Sequence, residues 1–381
     1  MYSCGVDLRM LWISTWHADR HSGGAGAYAR GILALIRHAF PEAALARIEP
    51  DADGSAHRIR QVLGVGRSLI GRRSAKWHFD APSRLEGKVR EAAAAVPDVA
   101  FIYGTAAGSL APLLAQGTRR ILVAPGVDSS LYEKQLARSP IALRVLMRDV
   151  LRDAERHRHF EREALAGIDG CIAISRETSD GLAALAGRAL QAEVVPPLFE
   201  ARERVARSTP SGACRIGFVG RMSWWPNREA IEWFLRDVWI ALQRRGLELH
   251  VFGEGSEAFH KPAAGVFGHG HVADTTRMWS GFDLFVNPML SSTGVNVKVC
   301  EAIHHGLPVL TTREGLRGLD LPEDPAVAVR DGTAAWTQEL QPWRLAELAR
   351  RAPAARLRQS FEFPQYAASF QRFVERILSS R

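Results

Sequence analysis

The sequence predicts an α/β protein made of two doubly wound, Rossmann-like domains. Apolar runs of strand length alternate with helix-period stretches through most of the chain, the pattern of parallel sheets covered on both faces. That rhythm breaks once, in the Pro-, Gly- and charge-rich tract from Pro196-Pro197-Leu198-Phe199 to Ser208-Thr209-Pro210-Ser211-Gly212, and then begins again. At 381 residues the chain is too long for one ordinary core, and a prior of about 150 residues per domain points to two.

In the first half, short apolar runs read as strands at 9–14, 99–103, 120–124, 170–175 and 193–195. Helices are expected over 27–38, 83–95 and 141–166. The second half gives strands at 215–219, 248–252, 282–287, 308–311 and 326–329, with helices near 228–244, 295–305 and 343–350. The domains are therefore placed at 1–197 and 198–363, and the terminal helix in 364–381 is expected to pack back onto the first.

Composition narrows the function. An apolar content of 46% with 24% charged residues excludes disorder and low complexity. Apolar runs such as Ala92–Val96 fall far short of the roughly 18 residues a membrane span needs. Met1–Asp7 has neither a basic nor an apolar signal region, and Cys4, Cys171, Cys214 and Cys300 are scattered with no metal or disulfide spacing, so a reducing cytoplasm is expected. The net charge of +8 is evenly spread, with 26 cations against 22 anions in 1–200 and 23 against 19 in 201–381. Nucleic-acid binders concentrate their excess on one face, so no nucleic-acid partner is expected. The segment Arg67–Trp77 mixes Arg67, Arg72, Arg73 and Lys76 with Leu69, Ile70 and Trp77. Its plainer reading is a solvated loop and helix; the other is peripheral contact with the anionic inner membrane surface.

The richest chemistry lies in Ser291-Ser292-Thr293-Gly294-Val295-Asn296-Val297-Lys298-Val299-Cys300-Glu301. A polar turn follows a buried strand, and the helix is expected to begin at Gly294. Free N–H groups at a helix start, with the positive end of its dipole, attract phosphate. Lys298 can neutralise a diphosphate, and Glu301, three residues on, can accept hydrogen bonds from two sugar hydroxyls. The plain alternative is a solvated Lys298–Glu301 helix pair. Upstream, Val219-Gly220-Arg221 ends a strand with a turn that projects an arginine fork toward a phosphate, unless Arg221 is structural. Phe252-Gly253-Glu254-Gly255 and Gly268-His269-Gly270-His271-Val272-Ala273-Asp274 supply small residues where a planar base can lie against backbone. His269 and His271 are spaced for one strand face, but two histidines make a weak zinc site.

Together with the helix end Gly306-Leu307-Pro308-Val309, these motifs cover about a hundred residues in order and resemble glycosyltransferases of the GT-B fold, family 4, most closely sugar transferases of bacterial exopolysaccharide synthesis. The resemblance implies two Rossmann-like domains facing each other across a cleft, the second binding a nucleoside-diphosphate sugar. It implies a donor site of Gly24, Arg221, Gly253, Glu254, His271, Val272, Thr293, Gly294, Val295, Lys298 and Glu301, with Glu301 on the ribose and Arg221 and Lys298 on the diphosphate. The chain departs from the family twice. Thr293 stands where the first carboxylate of the Glu-x7-Glu element belongs, and Asn227 stands where a second cation is usual.

In the first domain, Ser22-Gly23-Gly24-Ala25-Gly26-Ala27 resembles the family's glycine loop. It also fits the dinucleotide fingerprint, although Thr15–Ser22 separates it from the first strand. Asp128, after Ala124-Pro125-Gly126-Val127, reads either as a helix cap or as an active-site group, and His17, Asp19 and His21 are further candidates. Asp128 and His17 are taken as the catalytic pair. Asp51-Ala52-Asp53 spells a metal-binding Asp-x-Asp but sits between Pro50 and Gly54 as a turn would, so no metal and no cofactor are expected. The resulting expectation is a retaining, metal-independent transferase acting on a glycan or lipid-linked acceptor. A nucleotide-sugar epimerase of the same fold and a catalytically silent nucleotide-sugar-binding subunit are the alternatives.

Overall fold

A computed structural model describes residues 8–20, 23–50, 57–71, 73–80, 82–150, 152–201, 213–242, 246–272 and 275–380. The chain divides into two compact units, Met1–Pro196 with Tyr366–Arg381, and Pro197–Gln365.

Unit 1 is a six-stranded parallel sheet of β1 (Arg9–Ser14), β2 (Ala44–Ile48), β3 (Val99–Tyr103), β4 (Arg119–Ala124), β5 (Gly170–Ala173) and β6 (Ala192–Val194) in the order β2-β1-β3-β4-β5-β6. Strands β3 and β5 are buried along their whole length, which is why they read as unbroken apolar runs. One face packs Leu11, Ile13, Ile102, Leu122 and Cys171 against flanking helices. The helix Pro364–Ser379 packs on unit 1 as well: Phe370 stacks on Phe101 at 6.0 Å, and Ile377 and Phe373 fill the space beside Gly170.

Unit 2 repeats the plan with β7 (Cys214–Val219), β8 (Leu247–Phe252), β9 (Val266–Gly268), β10 (Leu284–Asn287), β11 (Val309–Thr311) and β12 (Val327–Val329), all parallel, in the order β12-β11-β10-β7-β8-β9. From β7 the chain winds outward through β8 and β9, then crosses back to β10 and winds the other way. The loops after β7 and β10 therefore diverge, and that crevice at the carboxyl ends is where open α/β sheets take ligands. Unit 1 has its own switch point between β1 and β3.

Several expected boundaries are corrected. The helix expected over 141–166 is three pieces, Ile141–Arg144, a π-helical turn Val145–Val150, and Asp153–Ala166 entered through Arg152 at φ 48°. The helix expected from 228 starts at Trp225 and is α-helical only to Trp233. The edge strands β2 and β9 were not anticipated; β2 is half exposed and β9 has three residues, so neither carries a continuous apolar run.

Candidate active site

In unit 2 the sheet brings the tails of β7, β8, β10 and β11 together. The turn after β7 is stitched to β8 by Gly220 N to Phe252 O (2.9 Å) and Met222 N to Glu254 O (2.9 Å). Gly253 N donates to Gly270 O at 2.8 Å, which brings in the segment after β9. Gly253 adopts φ 120°, and a Cβ there would stand 2.2 Å from the Gly220 carbonyl oxygen, so only glycine lets these two turns meet. The segment after β10 is fixed from the β11 side. Asn287 Nδ2 donates to Thr311 Oγ1 (3.1 Å), Thr312 Oγ1 to Met289 O (2.6 Å) and Ser292 N to Glu314 Oε1 (2.8 Å).

The helix expected to begin at Gly294 begins at Val297, with Asn296 as its N-cap residue. Residues 291–296 are instead a loop held by short polar contacts: Ser292 Oγ donates to Gly294 O (2.5 Å), and Asn296 Nδ2 to Ser292 Oγ (3.3 Å) and Gly315 O (3.1 Å). Asn and Ser satisfy backbone groups locally, and that chemistry competes with an earlier helix start. Thr293, Gly294 and Val295 are half-buried members of this loop.

Lys298 and Glu301 do not form the helix pair that was the plain alternative. The Lys298 ammonium donates to Asn227 Oδ1 at 2.8 Å, touches Met289 Sδ at 3.4 Å and lies 4.6 Å from the centre of the Phe218 ring. No carboxylate pairs with it among the described residues, and burial pushes it down to about 7. Asn227, at the position where a second cation is usual, thus orients the first one, and it also donates to Arg221 O at 3.1 Å. Glu301 accepts from the indole of buried Trp279 at 2.9 Å. Arg221, Glu254 and His271 are exposed and Val272 is half-buried. The strand placement expected for His269 and His271 is wrong, since β9 ends at Gly268. His269 stacks on Phe252 at 4.1 Å and shares a 2.9 Å hydrogen bond with His250, so its nitrogen already has a protein partner. Ala273 and Asp274 lie outside the described residues.

In unit 1, Gly24 opens the helix Gly24–Ala39 rather than preceding it, and Tyr103 OH donates to Ala25 O at 2.7 Å. His17 follows β1; its Nδ1 lies 3.5 Å from Glu49 Oε2, in an open cavity of about 580 Å³ lined by Asp19, Arg20, Arg47, Glu49 and Lys88. Asp51 and Asp53 lie outside the described residues, as does His21. Asp128 is the first residue of the helix Asp128–Ala137, but its carboxylate does not cap that helix. Glu161 does so instead, accepting from Asp128 N and Ser129 N, both at 2.9 Å. Asp128 Oδ2 accepts from Thr105 Oγ1 at 2.8 Å. Burial works against its charge, but Lys76, then His157 and Thr105, outweigh that and hold Asp128 below the ordinary carboxylate range.

The sequence did not single out what surrounds Asp128. Ligand-type atoms of Asp128, His157 and Glu161 lie within 4.8 Å of one another, with the Lys76 ammonium, itself 2.8 Å from Asp80 Oδ2, acting on both acids. A divalent ion there would compete with a resident ammonium, and we assign none. Burial and then Lys76 keep His157 neutral, down to about 3. The Glu161-Arg162-Glu163 run is the one local sign of it in the sequence.

Residues 213–342 match the family model of glycosyl transferases group 1. No curated protein matches by sequence. Solved structures match over the whole chain: sucrose-phosphate synthase from Thermosynechococcus elongatus (TM-score 0.65, 13% identity, 98% of this chain and 100% of that one), TarM (0.64, 10%, 100% and 99%) and HepE of Anabaena (0.63, 15%, 98% and 100%). At such identities the likeness to these structures is one of fold. The matched span includes Arg221 and Lys298, and the chain has the GT-B fold with a glycosyl transferases group 1 domain in its second unit.

Proposed function

We propose that this chain moves a sugar from a nucleoside-diphosphate sugar onto a glycan or lipid-linked acceptor, with the donor on unit 2 and the acceptor on unit 1. The observation that carries the reading is the Lys298 ammonium, enclosed at the β7/β10 switch point by an amide, a thioether and an aromatic ring and paired with no carboxylate among the described residues. A buried cation kept without an anion is costly, and a diphosphate supplies the missing partner. The exposed Arg221 fork adds a second charge for the same phosphates. These cations stabilise the leaving diphosphate in place of a metal. The structures of HepE in complex with UDP-glucose and of the pneumococcal O-GlcNAc transferase GtfA in complex with UDP and GlcNAc support a donor of that class. Retention, as in family 4, follows if the donor phosphate helps deprotonate the acceptor. Unit 1 contributes Asp128 and His17 as the ionisable groups on the acceptor side, and the cavity beside His17 has room for a sugar ring. No helix among the described residues is long and apolar enough to cross a membrane. Leu69 and Ile70, 52% and 94% exposed beside Arg67 and Arg73, suit peripheral contact with an anionic inner membrane surface from the cytoplasm.

One observation favours a second reading: neutral Thr293 in place of a carboxylate suits a silent nucleotide-sugar-binding subunit. Incubating the pure protein in EDTA with UDP-, GDP-, dTDP- and ADP-sugars separates the two. Release of nucleoside diphosphate is expected from one of them and should survive chelation. Binding without release supports the silent subunit, a C2-epimerised donor supports the epimerase, and activity restored only by magnesium or manganese contradicts metal independence.

The assignment of Glu301 to the ribose predicts that a 2′-deoxy nucleotide binds more weakly than its ribose form, since a hydrogen bond to a charged acceptor is worth about 1.5–3 kcal/mol. Glu301→Gln should shrink that preference. The Trp279 indole holds one carboxylate oxygen and so fixes its orientation. Titration of both proteins with both nucleotides checks this, and an undiminished ribose preference in Glu301→Gln rejects the assignment.

A further inference from the structure

Thr105 Oγ1 lies 2.8 Å from Asp128 Oδ2 and 3.0 Å from Glu161 Oε1. A threonine hydroxyl has one proton and cannot donate to both acids. Two short contacts are satisfied together only if one acid is protonated and donates to the hydroxyl oxygen. The charge count agrees. Asp80, Asp128 and Glu161 face a single ammonium, that of Lys76, while His157 is buried and neutral. Three carboxylates against one cation in a buried site is a costly excess, and one bound proton relieves it.

We infer that Glu161 carries that proton at neutral pH and donates it to Thr105, which donates in turn to Asp128, making Glu161 a positioning residue that keeps Asp128 ionised and fixed. Of the two acids the Lys76 charge acts more strongly on Asp128, whereas Glu161 is fully buried in the helix Asp153–Ala166. Burial first, and then the Asp128 charge, push Glu161 up to about 7. The groups facing the pair are Lys76 and Asp80 from the helix Ala75–Asp80, Tyr103 from β3, and His157 on the same helix as Glu161. The place of Asp128 on the acceptor side rests on the function proposed above; the proton on Glu161 does not.

Carbon-13 NMR of the glutamate carboxyl groups in the full chain reads the proton directly, with the Glu161 signal identified by its loss in Glu161→Gln. A midpoint near 7 is expected. A Glu161 signal that stays a carboxylate down to pH 5 overturns the inference. Thr105→Val removes the bridge and should raise the Asp128 midpoint, and an unchanged Asp128 midpoint also counts against it. In transfer assays Glu161→Gln, which keeps a neutral donor, should retain kcat within about threefold at pH 6 and lose the pH dependence near 7, while Glu161→Ala loses tenfold or more. If Gln and Ala fail alike with a parallel fall in Tm, Glu161 is only structural. Absence of transfer by the unmodified protein would sink the functional reading and leave the NMR result standing.

Discussion

Lys298→Met is expected to lower affinity for the nucleoside diphosphate by about tenfold or more at pH 6, because one charge-assisted contact is worth roughly 1.5–3 kcal/mol. The same substitution should make the empty protein more stable. Lysine has an unfolded pKa of about 10.4, and burial brings Lys298 down to about 7. Between those values the unfolded chain binds more protons than the folded one, so stability rises with pH through that window and the full cost of the buried charge is felt below 7. Methionine, apolar and of similar length, removes a cost on the order of 1–3 kcal/mol at pH 6, a rise of a few degrees in Tm. Wild-type affinity should fall as pH climbs above 7, since binding must then recruit a proton, and the variant should be flat there. Titration calorimetry and thermal unfolding at pH 6 and 8.5 check both halves. Unchanged affinity, or a lower Tm without ligand, rejects the clamp.

Gly253→Ala is expected to cost about 3 kcal/mol or more of stability, through an L-residue at positive φ and a steric clash. The added Cβ would lie 2.2 Å from the Gly220 carbonyl oxygen and 2.6 Å from its carbon, and backbone on both sides leaves no flexible side chain to move away. Relief must come from separating the turns after β7 and β8, which displaces Arg221 and Asn227, the residue that orients Lys298. Donor affinity should therefore fall together with stability. Gly126→Ala is the control, with open space at its Cβ position and no positive φ, and should change neither by more than about 0.5 kcal/mol. Urea unfolding and nucleotide titration of both variants measure this, and a Gly253→Ala protein as stable as the control contradicts the close approach.

The buried strands were legible because a parallel strand covered on both faces is apolar along nearly all of its length, as in Val-Ala-Phe-Ile-Tyr of β3 and Leu-Phe-Val of β10. Of the edge strands, β6 and β12 were legible, whereas β2 is half exposed and interrupted by Arg47 and β9 ends at once on Gly268. The glycine turns after β7 and β8 were legible for a related reason, since only glycine permits a backbone approach that close. The start of the helix bearing Lys298 was misplaced by three residues because the side chains of Ser292 and Asn296 satisfy the loop's polar groups, a tertiary arrangement involving Glu314 and Gly315 that local pattern cannot reveal. The Asp128 cluster was hidden for the same reason: Lys76, Thr105 and Glu161 are far apart in sequence and meet only when the sheet and its helices are assembled.

Unit 2 is proposed to hold a nucleoside diphosphate where the turns after β7 and β10 diverge. Amide hydrogen exchange of the protein with and without saturating UDP tests it most directly. Protection is expected in 220–228 and 289–300 and should be lost in Lys298→Met at equal nucleotide concentration; saturable binding with protection confined to other segments, or protection unchanged in Lys298→Met, would overturn the placement.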